Sequence, residues 1–135
     1  MNSHEVICSG IGLSDAIAKF AASLFNRKGK RTMYSGDFSS RFRGMYDQND
    51  CALFFTVSGE TREVIDRIKD LKKYDIKIIV ITNRASSTAA KMSDLALTYY
   101  MPSTKNGDFY SSATQVPVLY IIESIANLFI EYGIY

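Results

Sequence analysis

Apolar residues in this chain gather in short runs, separated by segments in which they recur every three or four positions. The first run, Glu5-Val6-Ile7-Cys8-Ser9, predicts a strand and closes in Gly10-Ile11-Gly12. From about Ser14 to Lys28, the residues Ala16, Ile17, Phe20, Ala21 and Leu24 recur at helical spacing, and Gly29 is suited to end that helix. Thr32-Met33-Tyr34 predicts a short second strand. It leads through the turn signal Ser35-Gly36-Asp37 into a weakly helical stretch reaching Tyr46, and Asp47-Gln48-Asn49-Asp50 is polar punctuation. The third run, Cys51 to Val57, is apolar almost throughout and does not alternate, the pattern of a strand covered on both faces. After Ser58-Gly59-Glu60-Thr61, the residues Val64, Ile65, Ile68 and Leu71 mark one face of a helix reaching about Lys73. Ile76 to Thr82 predicts a second central strand, Ser87 to Met92 a short helix, and Leu95 to Tyr100 a fifth strand. Pro102 to Asp108 is polar and reads as a loop. Ser112 to Tyr132 reads as a long helix, with Pro117 in its first turns or at a bend.

Strands alternating with helices predict an α/β fold. The expected form is a three-layer sandwich around a five-stranded parallel sheet, in the flavodoxin-like order 2-1-3-4-5 with right-handed crossovers. Nothing in the chain resembles a linker or an internal repeat, so residues 1–135 read as a single domain. The chain opens almost on its first strand, so one face of the sheet is expected to lack a helix that a longer parent protein would supply.

Composition narrows the function classes. With 47% apolar residues, one ordinary core is within reach of the chain. A formal charge of +2 gives no reason to expect a nucleic-acid or membrane surface. The densest basic run, Arg27, Lys28, Lys30 and Arg31, reads as the solvated end of the first helix. No apolar run approaches a membrane span, and the opening Met1-Asn2-Ser3-His4-Glu5 is too polar for a secretion signal. Cys8 and Cys51 are not in a paired spacing and His4 is the single histidine, which argues against a disulfide framework or a zinc site. Buried reduced thiols in the cytoplasm are the expectation, with no metal and no cofactor.

The candidate chemistry lies at the strand ends. In an open α/β sheet, ligands bind beyond the carboxyl ends of the strands at the point where strand order reverses. For the expected order that point lies between the first and third strands. Their turns are Gly10-Ile11-Gly12-Leu13-Ser14 and Thr56-Val57-Ser58-Gly59-Glu60-Thr61. A helix N-terminus offers unpaired N–H groups, Gly59 admits a close anion, and Ser14, Thr56, Ser58 and Thr61 add hydroxyl donors. Neither turn holds a lysine or arginine, unlike a nucleotide-binding P-loop. The first turn lacks the third glycine of a dinucleotide fingerprint, since position 15 is Asp15. From spacing alone, Ser58, Glu60 and Thr61 serve equally well as helix-capping residues with no ligand.

The string Phe55-Thr56-Val57-Ser58-Gly59-Glu60-Thr61-Arg62-Glu63 resembles the signature of sugar isomerase (SIS) domains, in which a hydrophobic strand runs into Ser-x-Ser-Gly-Glu-Thr. Gly10-Ile11-Gly12-Leu13-Ser14 resembles the first strand turn of that family. Ile79-Val80-Ile81-Thr82-Asn83, with Ser86-Ser87 and Ser93-Asp94-Leu95, resembles its fourth strand and the segment after it. The likeness implies a phosphosugar-binding domain. By the same likeness Ser14, Thr56, Ser58 and Thr61 would form the phosphate shell, Gly12, Gly59 and Glu60 would belong to the same ligand site, and Ser86 would lie nearer the sugar. Thr56 replaces the commoner serine and keeps the hydroxyl.

Members of this family act as sugar-phosphate isomerases or as sensor domains of RpiR-type transcription regulators. Aldose–ketose isomerisation needs a base beside the sugar. His4 precedes the first strand, Glu60 and Glu63 follow the phosphate turn where acids complement a helix dipole, and Glu123 reads as part of an outward stripe. None makes a convincing catalytic group. The stretch Ser111 to Gln115 and the apolar final helix resemble the end of an RpiR-type sensor. The resemblance therefore implies a non-catalytic effector domain excised from a regulator, meeting DNA only through a missing N-terminal helix-turn-helix domain. A sugar-phosphate isomerase and a purely structural dimerisation module are the alternatives. Val118, Leu119, Ile122, Ile125, Leu128, Phe129 and Tyr132 give the last helix more apolar surface than one side needs, so a homodimer is expected. Arg41 and Arg43 are candidates for a second charged group on the ligand, though an exposed helix face is their expected place.

Overall fold

Five apolar segments form strands: β1 (Val6–Gly10), β2 (Thr32–Tyr34), β3 (Cys51–Phe55), β4 (Lys77–Thr82) and β5 (Leu95–Thr98). Four helices join them in a computed structural model that describes residues 5–38, 48–100 and 114–131: α1 (Leu13–Arg27), α2 (Arg62–Lys72), α3 (Thr88–Met92) and α4 (Val116–Glu131). The sheet runs β2-β1-β3-β4-β5 with every neighbouring pair parallel, the order expected from the alternation of elements. The stretch toward Tyr46 beyond residue 38, the segment Pro102 to Asp108, His4, Arg41 and Arg43 fall outside the described residues.

The two central strands explain why β1 and β3 carry no polar alternation. All five residues of each are buried, with successive side chains entering opposite layers. Leu53 and Phe55 of β3 join Val6 and Cys8 beneath α1 and α4, while Ala52 and Phe54 pack with Val64, Ile68 and Leu71 of α2. Phe25 of α1 meets Phe129 of α4 edge to face, with ring centroids 5.1 Å apart. Among the described residues, α1 and α4 cover one face of the sheet and α2 and α3 the other. Cover thins at the β2 edge, where Met33, level with Ile7 in the register, stays 43% exposed.

Several boundaries move inward from those read in the sequence. Strand β3 ends at Phe55 rather than Val57, because Thr56 to Thr61 leave the sheet to form a turn before α2. The last helix starts at Val116, so Pro117 sits in its first turn, where a missing N–H costs no intrahelical bond. Gly29 does end α1: it adopts φ 95°, and the Lys30 N–H donates back to the Phe25 carbonyl at 2.9 Å.

That reversal corrects the reading of the basic run. Arg27 and Arg31 are exposed, but Lys30 is fully buried. The chain turns inward after Gly29 and carries the lysine into the interior. Burial pushes its ammonium below the ordinary lysine range, with neighbouring Cys51 and Asp50 acting in the opposite direction.

Both cysteines are buried and unbridged. Burial pushes the Cys51 thiol up to about 11 and raises Cys8 further, with Cys51 adding to the effect on Cys8. A higher thiol pKa leaves less thiolate at pH 8, so the native protein should react with an aromatic disulfide reagent about a hundredfold more slowly than the urea-unfolded chain. A stopped-flow comparison of the two states measures this; equal rates would contradict the buried placement.

Candidate functional site

Because β1 and β3 are adjacent and paired Val6 to Cys51 through Gly10 to Phe55, their carboxyl ends stop level with each other. The helix that follows each strand therefore begins beside the other. Gly12 turns the chain into α1 with φ 69°, a left-handed conformation that glycine accepts freely. Thr61 leads into α2, and Gln115 leads into α4 at the same end. Between them lies a cleft of about 330 Å³, lined by Ile11, Leu13, Ser14, Val57, Ser58, Thr61 and Gln115. None of these side chains is charged.

The hydroxyls are held in a defined pattern. Ser58 Oγ accepts the Glu60 N–H at 3.0 Å. Thr56 Oγ1, buried behind the turn, accepts the Gly59 N–H at 3.1 Å and shares a hydrogen bond with Thr61 Oγ1 at 3.2 Å. A hydroxyl has one proton and two acceptor positions. The proton of Ser58 is thus left for another partner, as is one proton of the Thr56–Thr61 pair. Neither α1 nor α2 has a side-chain cap bond at its N-terminus. The capping explanation of Ser58 and Thr61 therefore fails for α2, whose first-turn N–H groups have no side-chain cap. A side-chain cap does occur in the next turn, where Ser87 Oγ accepts the Ala90 N–H of α3.

Two acids flank the cleft, and both are turned onto other partners. Asp15, in the first turn of α1, accepts a hydrogen bond from the Tyr34 hydroxyl and pairs with Lys19 at 3.5 Å. The hydrogen bond to Asp15, followed by burial, raises the Tyr34 phenol above its ordinary range. Glu60 accepts the Thr88 N–H at 2.9 Å and the Thr88 hydroxyl at 2.7 Å. Those bonds hold its carboxyl below the ordinary glutamate range.

The structure brings Ser14, Thr56, Ser58, Gly59 and Thr61 together beside Gly12, as the two strand turns suggested. The Glu60 carboxylate and Ser86 do not line the cleft; Ser86 is exposed in the β4–α3 turn. Glu123 is exposed on α4. Ile11, Leu13, Val57 and Gln115 also form the wall. Gln115 was legible only as the residue before an apolar helix starting at the same sheet end.

Gly59 has a packing reason that the sequence reading did not include. A Cβ there would lie 2.0 Å from Ser87 Oγ and 3.1 Å from Thr82 Oγ1, and the residue has φ 70°. Its bare Cα is required by the packing of the neighbouring turn. Gly12 shares the left-handed backbone, but a Cβ would meet nothing within 4 Å. Gly12→Ala should therefore cost about 1 kcal/mol, from backbone strain alone, and Gly59→Ala about 2–4 kcal/mol, from strain plus a clash. Urea denaturation of the two variants checks the order, and equal losses would contradict the Ser87 contact.

Residues 1–121 match the family model described as SIS domain. A relative from Clostridium perfringens, an uncharacterized HTH-type transcriptional regulator, is 30% identical over 137 residues, covering 97% of this chain and 49% of that protein. Arabinose 5-phosphate isomerase KpsF from Escherichia coli is 30% identical over 104 residues, covering 72% of this chain and 30% of the enzyme. The chain thus spans half or less of the length of these two proteins. The NanR protein of Vibrio vulnificus, solved in complex with ManNAc-6P, superposes with a TM-score of 0.78 at 26% identity, covering 97% of this chain and 50% of that one. With the fold, the Ser58–Thr61 turn and the family match in agreement, the chain belongs to the SIS-domain family.

Proposed function

We propose that this chain binds a phosphorylated sugar at the β1–β3 cleft and works as the non-catalytic sensor portion of a transcription regulator. The observation that carries the reading is the convergence of α1, α2 and α4 on an uncharged cleft with free hydroxyl donors. A phosphate there would be held by first-turn N–H groups, the Ser58 hydroxyl and the Thr56–Thr61 pair, with Gly12 and Ser14 on the opposite wall. Gly59 keeps the turn in shape, and exposed Ser86 is assigned to the sugar side. DNA contact belongs to a helix-turn-helix region of the longer regulator, which this chain would bias by a ligand-dependent population shift in the cytoplasm. The regulator relative and the ManNAc-6P complex of NanR support this reading.

The similarity to KpsF supports a second reading, an aldose–ketose isomerase. Such a reaction needs a base next to the sugar carbonyl. Among the described residues that line the cleft none is titratable, which fits binding better than turnover.

Thermal shift against arabinose 5-phosphate, ManNAc-6P and their unphosphorylated sugars tests the assignment. A ligand at 100 times its dissociation constant should stabilise the domain by about 2.7 kcal/mol. The shift should appear only with a phosphorylated sugar, and Ser58→Ala should weaken binding by about tenfold. NMR should show the ligand unchanged after hours; turnover would select the isomerase reading. Absence of any shift from folded protein would leave a structural dimerisation module.

A homodimer is part of the same proposal. Leu13 and Phe20 of α1, and Val116 and Tyr120 of α4, are 60, 41, 67 and 72% exposed on helices that cover the same face of the sheet. Apolar surface of this kind fits a self-complementary contact. Sedimentation should give a dimer, and Phe20→Glu with Tyr120→Lys should give a folded monomer. A wild-type monomer at every concentration would remove this part of the proposal.

A further inference from the structure

The turn that carries Ser58 does not stand alone. Residues 57–60 are fastened to residues 82–90, the end of the next strand and the start of α3. The Val57 carbonyl accepts the Thr82 hydroxyl and the Asn83 N–H, both at 3.1 Å. The Gly59 carbonyl accepts the Ala89 N–H at 3.0 Å. The Glu60 carboxylate takes both donors of Thr88, its N–H and its hydroxyl. Of these contacts, only the last depends on a charged side chain, and that side chain is exposed.

Two consequences follow for an anion in the cleft. Glu60 is only two residues from Ser58, so a carboxylate swung toward the cleft would repel a phosphate. Two hydrogen bonds to a single residue fix both oxygens on the far side of the turn. In addition, the Glu60 N–H donates to Ser58 Oγ. The position of the Glu60 backbone thus occupies an acceptor site of that hydroxyl and leaves its proton for the cleft.

We propose that Glu60 is a positioning residue for anion binding: clasped by Thr88, it holds the Ser58–Glu60 turn in its donor-presenting shape and keeps its own charge out of the cleft. The role rests on the phosphate-binding reading above and assigns Glu60 a place behind the ligand instead of a contact with it. Because the clasp joins the turn to the first residue of α3, it also predicts that a ligand at Ser58 reduces the mobility of Thr88, since coupling between two sites is reciprocal.

Isothermal titration calorimetry with arabinose 5-phosphate and ManNAc-6P tests it on the wild-type chain, Glu60→Ala, Glu60→Gln, Thr88→Val and the double variant Glu60→Ala with Thr88→Val. Melting temperature is measured alongside. Glu60→Ala is expected to weaken binding about tenfold or more, with the melting temperature close to wild type because the side chain is exposed. Glu60→Gln, which keeps an acceptor for Thr88, should recover most of the affinity. Thr88→Val should weaken binding in the wild-type background and have no further effect once Glu60 is alanine. Hydrogen exchange of the Thr88 amide should slow on ligand addition in the wild-type chain.

Affinity of Glu60→Ala within twofold of wild type would overturn the positioning role and leave the binding site intact. Equal effects of Thr88→Val in both backgrounds would also overturn it, because Thr88 would then act on binding independently of Glu60. If the wild-type chain binds neither sugar phosphate, the binding reading falls and this role falls with it.

Discussion

The pairing of β1 with β3 is the constraint on which the rest of the site depends. Sequence neighbours along the chain would put β2 between them; instead β2 lies on the outer side of β1, and β3 crosses to the inner side. Five parallel residue pairs lock the register from Val6–Cys51 to Gly10–Phe55. Two strand ends then stop at one level, and two helices must start side by side. Burial on both faces makes the arrangement hard to shift, since a slip of one residue would send Leu53 and Phe55 into the layer occupied by Ala52 and Phe54.

What this geometry creates is a cleft lined by dipoles, the basis of the anion site proposed above. Helix N-termini and hydroxyls face the cleft, while formal charges are placed elsewhere. Asp15 is occupied by Tyr34 and Lys19, and Glu60 by Thr88. A cleft whose described lining has no lysine or arginine attracts anions less strongly at long range than a P-loop, but its donors are fixed in direction before a ligand arrives. Fixed donors of this kind would distinguish a phosphate from a neutral sugar hydroxyl through geometry, as the proposed function requires. The same turn is joined to α3, so that occupancy of the cleft and order in residues 82–90 are properties of one hydrogen-bonded unit.

The strand order, both central strands and the two turns at their ends were legible in the chain because each has a local cause. Non-alternating apolar runs at Cys51–Phe55 and Ile78–Thr82 require two covered faces, and Gly12 and Gly29 mark left-handed turns that other residues resist. Ser14, Thr56, Ser58 and Thr61 could be named for the same reason: they stand in turns whose position in the sheet follows from its order. Where the local reading failed, the cause was a neighbour distant in sequence. Lys30 looked solvated because it stood in a basic run, yet the turn after Gly29 buries it near Asp50 and Cys51. The packing demand on Gly59 was likewise invisible, because it comes from Ser87 of the next turn.

By itself, the sequence determined the elements, their parallel order and the family to which the chain belongs, because periodicity, turn chemistry and contiguous motifs are written in residues close together along the chain. Tertiary structure alone decided the direction of each polar group. It left Thr61 uncapped and paired with Thr56, placed Ser87 rather than Ser86 against the phosphate turn, added Gln115 to the cleft, and turned Glu60 onto a partner 28 residues away. Those choices depend on which strand ends meet in space, and a hydrogen bond acts only across that final distance.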